Sequence, residues 1–400
     1  FELSESKSVI IIKIIQMRKR ILYNAFLFAL SIFILFLIFS FKTERNPKGT
    51  GENLPESAQP KIFKNKRIVD GPYIFYENEN TVVRWVYKNR MAERMVPLNG
   101  TWLINRKFNL NLKHNWLDIP DKQANYEQTY QNIENIAVIS DMHGQFDLTV
   151  KLLKSNHIID NDCNWNFGNG HLVVLGDIFD RGPKVTELLW FVFRLEKQAE
   201  LSGGKVHFLL GNHELMVLNN DIRYIHEKYR ESSELMEKTY TELFAENTFF
   251  GQWLRTKPVM LKINDLLFVH AGVSPEFIER GYTITETNQF FIDSITGKSW
   301  KEILENEDLK FLMGSNGLVW FRGYFKDEKF PKENIDQILQ YFNVKKIILG
   351  HTTLPNITPL FDMKVIGIDA GIKDGDYGEI LIYKDKKLHR GTPNGAIIDL

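Results

Sequence analysis

Cysteine is nearly absent. Cys163 stands alone among 400 residues, so no intrachain disulfide can form and no disulfide framework holds the fold. A net charge is missing as well, since 50 Lys and Arg face 50 Asp and Glu. Without a basic surplus to neutralise phosphates, an overall nucleic-acid binder is excluded and no nucleic-acid partner is expected. Internal repeats and low-complexity tracts are lacking too. What is present excludes wholesale disorder: 44% of the residues are hydrophobic and 13% aromatic, ample material for a packed core. The length suits one large or two medium domains.

These averages hide one local departure. From Ile21 to Phe41 the chain carries no charge, and a helix of roughly 20 apolar residues spans the hydrocarbon core of a bilayer. Arg18, Lys19 and Arg20 precede the run and prefer the cytoplasmic side, with Met17 a candidate start just ahead of them. A cleaved signal usually has an apolar core of roughly 7–15 residues and small residues before the cut. The exit Ile38-Phe39-Ser40-Phe41 has neither feature. The expectation is a basic segment over residues 1–20 and an uncleaved signal-anchor helix over 21–41. That makes a single-pass membrane protein, its amino terminus cytoplasmic and the rest extracytoplasmic (periplasmic).

Residues 42–66 read as a flexible tether, with Pro47, Pro55, Pro60, Gly49 and Gly51 among polar residues. Residues 67–131 read as a small β-rich extension packed on the main domain. Tyr73–Tyr76 and Thr81–Tyr87 flank Glu77-Asn78-Glu79-Asn80, the pattern of a hairpin. Phe108, Leu110 and Leu112 alternate with polar residues, which predicts a half-buried strand. From 132 to 400 the texture changes to short continuous apolar runs between helix-like stretches, the signature of an α/β domain with strands buried on both faces.

Five of those runs end in residues able to bind a metal. Ile136–Ile139 leads to Asp141-Met142-His143-Gly144, and Leu172–Leu175 to Gly176-Asp177-Ile178-Phe179-Asp180-Arg181-Gly182. Val206–Leu210 leads to Gly211-Asn212-His213-Glu214, Leu266–Val269 to His270-Ala271-Gly272, and Ile347–Leu349 to Gly350-His351-Thr352. In open α/β sheets, sites gather beyond the carboxyl ends of the strands. Oxygen and imidazole donors without a thiolate suit Mn, Fe(II) or Zn. An isolated Asp after a strand is more often a helix cap, and an isolated His more often a hydrogen-bonded bystander. Five coincidences in chain order point instead to a dinuclear metal site. The remaining histidines, His114, His157, His171, His207, His226 and His389, have no such placement.

This set of motifs resembles the calcineurin-like metallophosphoesterases, and within them the phosphoprotein phosphatase branch with its DxHG, GDxxDRG and GNHE blocks. Trp253-Leu254-Arg255-Thr256-Lys257-Pro258 and Leu318-Val319-Trp320-Phe321-Arg322-Gly323 look most like the bacterial-type, Shewanella-like protein phosphatases. The resemblance runs from roughly Ile136 to Gly378, with Ser140 where many relatives have glycine, a change expected to matter little.

The resemblance implies a four-layer metallophosphoesterase fold, two mixed β-sheets sandwiched together and flanked by helices. It implies two divalent metal ions at the sheet edge, Mn first, with Fe or Zn as alternatives. Asp141, His143 and Asp177 would hold one; Asp177, Asn212, His270 and His351 would hold the other. A shared carboxylate suits two ions about 3.5–4 Å apart, and a metal-bridging hydroxide would attack phosphorus. Arg181, Arg322 and Asn212 would bind the phosphoryl oxygens. His213, oriented by Asp180, would protonate the leaving group, while Glu214 would hold loops rather than touch substrate. A helical insertion over 219–250, with Ile222, Ile225 and Tyr229 as its apolar stripe, would form a lid. The implied activity is hydrolysis of phosphate monoesters, on Ser/Thr of a phosphorylated protein and in some cases Tyr, or on a small phosphoester. The alternatives are a dinucleoside polyphosphate or nucleotide hydrolase and, opposed by the intact ligand set, an inactive membrane-anchored binding protein.

Overall fold

The computed structural model describes residues 67–77, 80–96, 101–108, 110–117, 128–326 and 330–400. The basic segment, the anchor and the tether lie outside them. Among the described residues no helix is long and apolar enough to cross a membrane.

The first described residues form an antiparallel three-stranded sheet, β1 (Val69–Glu77), β2 (Asn80–Tyr87) and β3 (Arg90–Val96), in that order. Glu77 pairs with Asn80, so the expected hairpin is present. One buried carboxylate, Asp70, ties this sheet to the rest of the molecule. It accepts hydrogen bonds from Thr186 Oγ1 (2.8 Å), Ser232 Oγ (2.6 Å) and Tyr73 Oη (3.0 Å). Trp190 Nε1 adds a bond to Pro72 O (3.0 Å), and the Tyr73 ring packs edge-on against Phe244 and Phe250.

The strand expected at Phe108–Leu112 does not form. Phe108 ends the helix Thr101–Phe108 with its ring against Trp85, and Leu112 lies in an irregular segment. The Asn105 side chain explains why Leu112 needs no partner strand. Its amide donates to Leu112 O (2.6 Å) and accepts from Leu112 N (2.7 Å), satisfying the backbone groups that a ladder would otherwise take up.

The remaining strands are β4 (Thr129–Tyr130), β5 (Ile136–Ile139), β6 (His171–Val174), β7 (Lys205–Phe208), β8 (Met260–Ile263) and β9 (Leu266–Val269), followed by β10 (Lys346–Leu349), β11 (Thr358–Leu360), β12 (Val365–Gly367), β13 (Ile380–Lys384), β14 (Lys387–Gly391) and β15 (Ile397–Asp399). They make two six-stranded mixed sheets, ordered β11-β12-β10-β9-β8-β4 and β15-β14-β13-β5-β6-β7. Successive side chains of a strand point to opposite faces, and the core divides on that rule. Ile136, Val138, Val173, Phe268, Ile348 and Ile366 meet in one core shared by the two sheets. Their neighbours Ala137, Ile139, Leu172, Val174, Leu267 and Leu349 belong to a second core, together with helix residues such as Leu152, Leu188 and Ile338. Both faces are therefore apolar, which is why these strands read as unbroken hydrophobic runs.

Between the sheets' strands, His171 Nδ1 and His207 Nε2 lie 2.9 Å apart, with the Tyr130 ring edge-on to both. Burial and the nearby Lys205 ammonium pull His171 down to about 4, and burial with the His171 charge holds His207 well below its usual value. The folded state thus binds fewer protons here than the unfolded chain, so stability is complete above about pH 6.5 and falls as the pH drops toward 4. The melting temperature is expected to fall by on the order of 5 °C between pH 7 and pH 5. In an H171Q/H207Q variant this pH slope should flatten; an unchanged slope in differential scanning fluorimetry would assign the acid sensitivity to other groups.

Candidate active site

The five expected ligand-bearing turns all follow parallel strands. β5, β6 and β7 run parallel in one sheet, β9 and β10 in the other, so the residues after them emerge together along one edge. Asp141, His143, Asp177, Asn212, His213, Arg181, Arg322 and His351 line a single cavity of about 180 Å³. His270, fully buried, sits behind it, with Nε2 2.9 Å from Asn212 Oδ1. Close approach explains the glycines: a Cβ on Gly211 would collide with Asp177 Oδ1, and one on Gly350 with Ser140 and Asp141. Asp141, His143, Asp177, Asp180 and His351 hold positive φ without being glycine (50°, 42°, 56°, 70° and 64°). Such backbone persists only where the surroundings over-determine it.

Asp177 is the hub. Its Oδ1 lies 3.4 Å from His270 Nε2, and its Oδ2 lies 3.5 Å from His143 Nε2 and 3.9 Å from His213 Nε2. Two of these rings are aimed by backbone carbonyls, His143 Nδ1 by Phe179 O (2.7 Å) and His270 Nδ1 by Leu175 O (2.6 Å). That bond leaves each Nε2 facing the hub. His213 is aimed differently, through a 2.5 Å hydrogen bond from its Nδ1 to Asp180 Oδ2. Glu214 does what the sequence predicts. Its carboxylate accepts from the N–H groups of Asp177 (2.8 Å), Ile178 (2.7 Å), Phe179 (3.3 Å) and Gly211 (2.7 Å), clamping two loops together.

The charges are tightly opposed. Burial alone would raise Asp177, but His270 and His213 outweigh it and hold the carboxyl far below its usual range. His270 is the mirror case: burial lowers it, Asp177 wins, and it is pushed up to about 10. Burial holds His143 down at about 3 and His351 at about 2. Burial, with Asp369 and Asp177 as like-charged neighbours, drives Asp141 well above the usual carboxylate value. Three carboxyl groups, Asp141, Asp177 and Asp369, thus share one small cavity with Arg181, Arg322 and Lys373.

The donor set fits divalent metal ions. His143, Asp177 and His213 form one group of donors within 4.8 Å of one another, and Asp177, His270 and His351 form a second, with Asp177 common to both. His351 Nε2 is buried without a hydrogen-bond partner among the described residues, an orphaned polar atom where a ligand would end. Asp141 is placed differently. Its Oδ2 accepts from His351 N (2.9 Å) and from the Ser140 hydroxyl.

Among the described residues Arg322 makes no ion pair. Half-buried, it donates through Nη1 to His351 O (3.0 Å) and Thr352 Oγ1 (3.2 Å) while lining the cavity. Arg181 reaches the same cavity with its guanidinium over the Tyr224 ring, 5.8 Å from the centroid. Four lining residues escaped the sequence reading: Tyr224, Thr353, Asp369 and Lys373. Lys373 Nζ donates to Thr353 Oγ1 (2.7 Å), which in turn donates to Asp369 Oδ2 (2.7 Å). Asp369 was findable, since Val365-Ile366-Gly367-Ile368-Asp369-Ala370-Gly371 repeats the pattern of an apolar run ending in a carboxylate beside glycine. Tyr224 lies in the insertion read as helical from Ile222. The helix there begins only at Glu227 and ends at Leu235, and the turn before it brings Tyr224 to 5.4 Å from the His213 ring.

Residues 134–355 match the sequence profile of the calcineurin-like phosphoesterases. Among solved structures, the cold-active protein-tyrosine phosphatase of a psychrophilic Shewanella species is similar at 37% identity and a TM-score of 0.75, over 83% of this chain and 99% of that one. Shewanella-like protein phosphatase 2 of Arabidopsis thaliana is 24% identical over 304 residues, 64% of this chain and 76% of its own length. The symmetrical bis(5'-nucleosyl)-tetraphosphatase of Vibrio parahaemolyticus is 25% identical over 281 residues, 63% of this chain and 96% of its own.

Because four backbone N–H groups converge on Glu214, an amide there would turn donors against donors. Glu214→Gln should lower stability by about 1–3 kcal/mol. A melting temperature within about 1 °C of the native chain would show that this carboxylate does not join the two loops.

Proposed function

The chain belongs to the calcineurin-like phosphoesterase family of metal-dependent phosphoester hydrolases, and on that premise we propose that it is a protein phosphatase. Its substrates would be phosphate monoesters of Ser, Thr or Tyr side chains, Tyr being favoured by the Shewanella relative's activity. The observation that carries the reading is the convergence of six donor side chains, Asp177 among them, with Arg181 and Arg322 lining the same cavity.

Two divalent ions, Mn first with Fe or Zn as alternatives, would supply Lewis acidity and an acidified water when bound. Asp177 would be shared between them. Asp141 and His143 would complete one side; Asn212, His270 and His351 would complete the other. The Arg181 guanidinium, without a hydrogen-bonded side-chain partner among the described residues, would grip phosphoryl oxygens in the fork geometry that a lysine lacks. Arg322 would present its remaining N–H groups to the same oxygens, with Asn212 beside them. His213, charged and held by Asp180, would give its Nε2 proton to the departing oxygen. Asp180 supports that state through its bond to Nδ1. A second reading, cleavage of dinucleoside polyphosphates, is favoured by Lys373, a third cation at the cavity that could take a further phosphate.

We also propose that residues 21–41 anchor the protein in a membrane, with the amino terminus cytoplasmic and the catalytic residues outside. A reporter fused after Leu400 should then be active only in the extracytoplasmic compartment; activity confined to the cytosol would overturn the orientation.

Asp177→Asn should abolish both metal retention and turnover, read by elemental analysis and phosphate release. His213→Asn should keep its metals and lose about 10²–10⁴-fold in turnover, most for poor leaving groups. The proximity of His213 to His143 and Asp177 makes this test decisive. Loss of metal in His213→Asn would make that ring a ligand and remove it as the acid.

A further inference from the structure

We propose that the groove next to the catalytic cavity recognises the peptide that bears the phosphate, and that it selects acidic phosphopeptides. The proposal rests on the protein-phosphatase reading and adds to it the chemistry of the leaving group.

The catalytic cavity, at about 180 Å³, falls below the roughly 300–1,000 Å³ of ordinary ligand pockets. It has room for a phosphoryl group and little more, so whatever carries the phosphate must lie outside it. A groove of about 530 Å³ adjoins it, and the two share Trp320 and Arg322 as walls. Trp320 stands edge-on to His351 (5.7 Å between centroids), which links the groove wall directly to the donor cluster.

The lining of the groove has a definite character. Met313 and Phe321 form a buried apolar floor, while Ser315, Asn316 and Lys326 stand exposed at its rim. Among the described residues no carboxylate lines it, and its charged groups are the cations Arg322 and Lys326. The indole N–H of Trp320 is buried without a hydrogen-bond partner among the described residues, polar capacity that the walls themselves do not use. Such a surface favours a chain with an apolar or aromatic side chain beside the phosphorylated residue and carboxylates further along. A dinucleoside polyphosphate fits it less well. Beyond the shared Arg322 the groove offers its further phosphates only Lys326, exposed at the rim, whereas Lys373 lines the catalytic cavity and not the groove.

The test uses the full chain in detergent with added Mn²⁺ and three substrates. These are p-nitrophenyl phosphate and two phosphotyrosine peptides of equal length, one flanked by Glu and one by Lys. Native protein should prefer the Glu-flanked peptide by its kcat/KM. In Lys326→Glu and Ser315→Glu, both at exposed positions, the ratio of Glu-flanked to Lys-flanked kcat/KM should fall about tenfold, through KM. Native protein that hydrolyses the aryl ester but treats the two peptides alike overturns the groove and leaves the phosphatase reading intact. So do variants whose ratio stays at the native value. Native protein that hydrolyses none of the three, while cleaving diadenosine tetraphosphate, overturns the phosphatase reading and the groove together.

Discussion

A single buried carboxylate with three imidazoles around it is the constraint on which this molecule turns. Asp177 lies within 3.4–3.9 Å of His270, His143 and His213, and is itself almost wholly buried. A carboxylate in such a place is tolerated only when opposite charge and hydrogen bonds surround it. Here His270 carries the compensating proton, and His213 N donates to Asp177 Oδ1 (3.0 Å). The backbone beneath is held by Glu214, so the carboxylate cannot swing away from the charges that it needs. Asp177 is common to both groups of donors, and divalent cations bound there would take the place of the proton on His270.

The scaffold makes that concentration possible. Strands in two sheets end along one edge, and each contributes a short turn rather than a long loop, so a donor's position follows from strand register. Short turns force the backbone into left-handed conformations at Asp141, His143 and Asp177, and they force glycine where a Cβ would strike a neighbouring donor. Local strain of this kind is held in place by cores on both faces of each sheet.

The amino-terminal sheet and the insertion after the Asn212–Leu218 helix extend this logic outward. Asp70 binds Thr186 and Ser232, and Thr186 lies in the first turn of the helix that follows the Asp180–Arg181 turn. Lys228 and Tyr229, on the insertion's helix, both donate to Pro183 O in the same turn (2.8 and 3.0 Å). The region that carries Tyr224 to the cavity is thus fastened to the turn that carries Arg181, rather than lying over the site as a free flap. Trp320 and Arg322 line the catalytic cavity and the larger groove alike, so the two adjoin there.

Much of this was legible in the sequence because it is local. A four-residue apolar run with no alternation that ends at glycine reads as a strand buried on both faces, and the type of residue at its end is a fact of composition. The donor chemistry, the hairpin of β1 and β2, and the loop-clamping role of Glu214 were therefore open to reading. The alternation from Phe108 to Leu112 misled for the same reason. Periodicity reports exposure, and it is blind to an Asn105 amide that stands in for a neighbouring strand. Asp369, Tyr224 and Lys373 stayed hidden because their importance depends on which strand lies beside which. β12 pairs with β10, and this alone brings Asp369 to the cavity. So the sequence by itself determined which chemical groups would end the strands, since that is written residue by residue. Only the tertiary structure decided that His143, Asp177, His213, His270 and His351 would share one point, because separations in space are set by sheet order and packing, which no single stretch of chain contains.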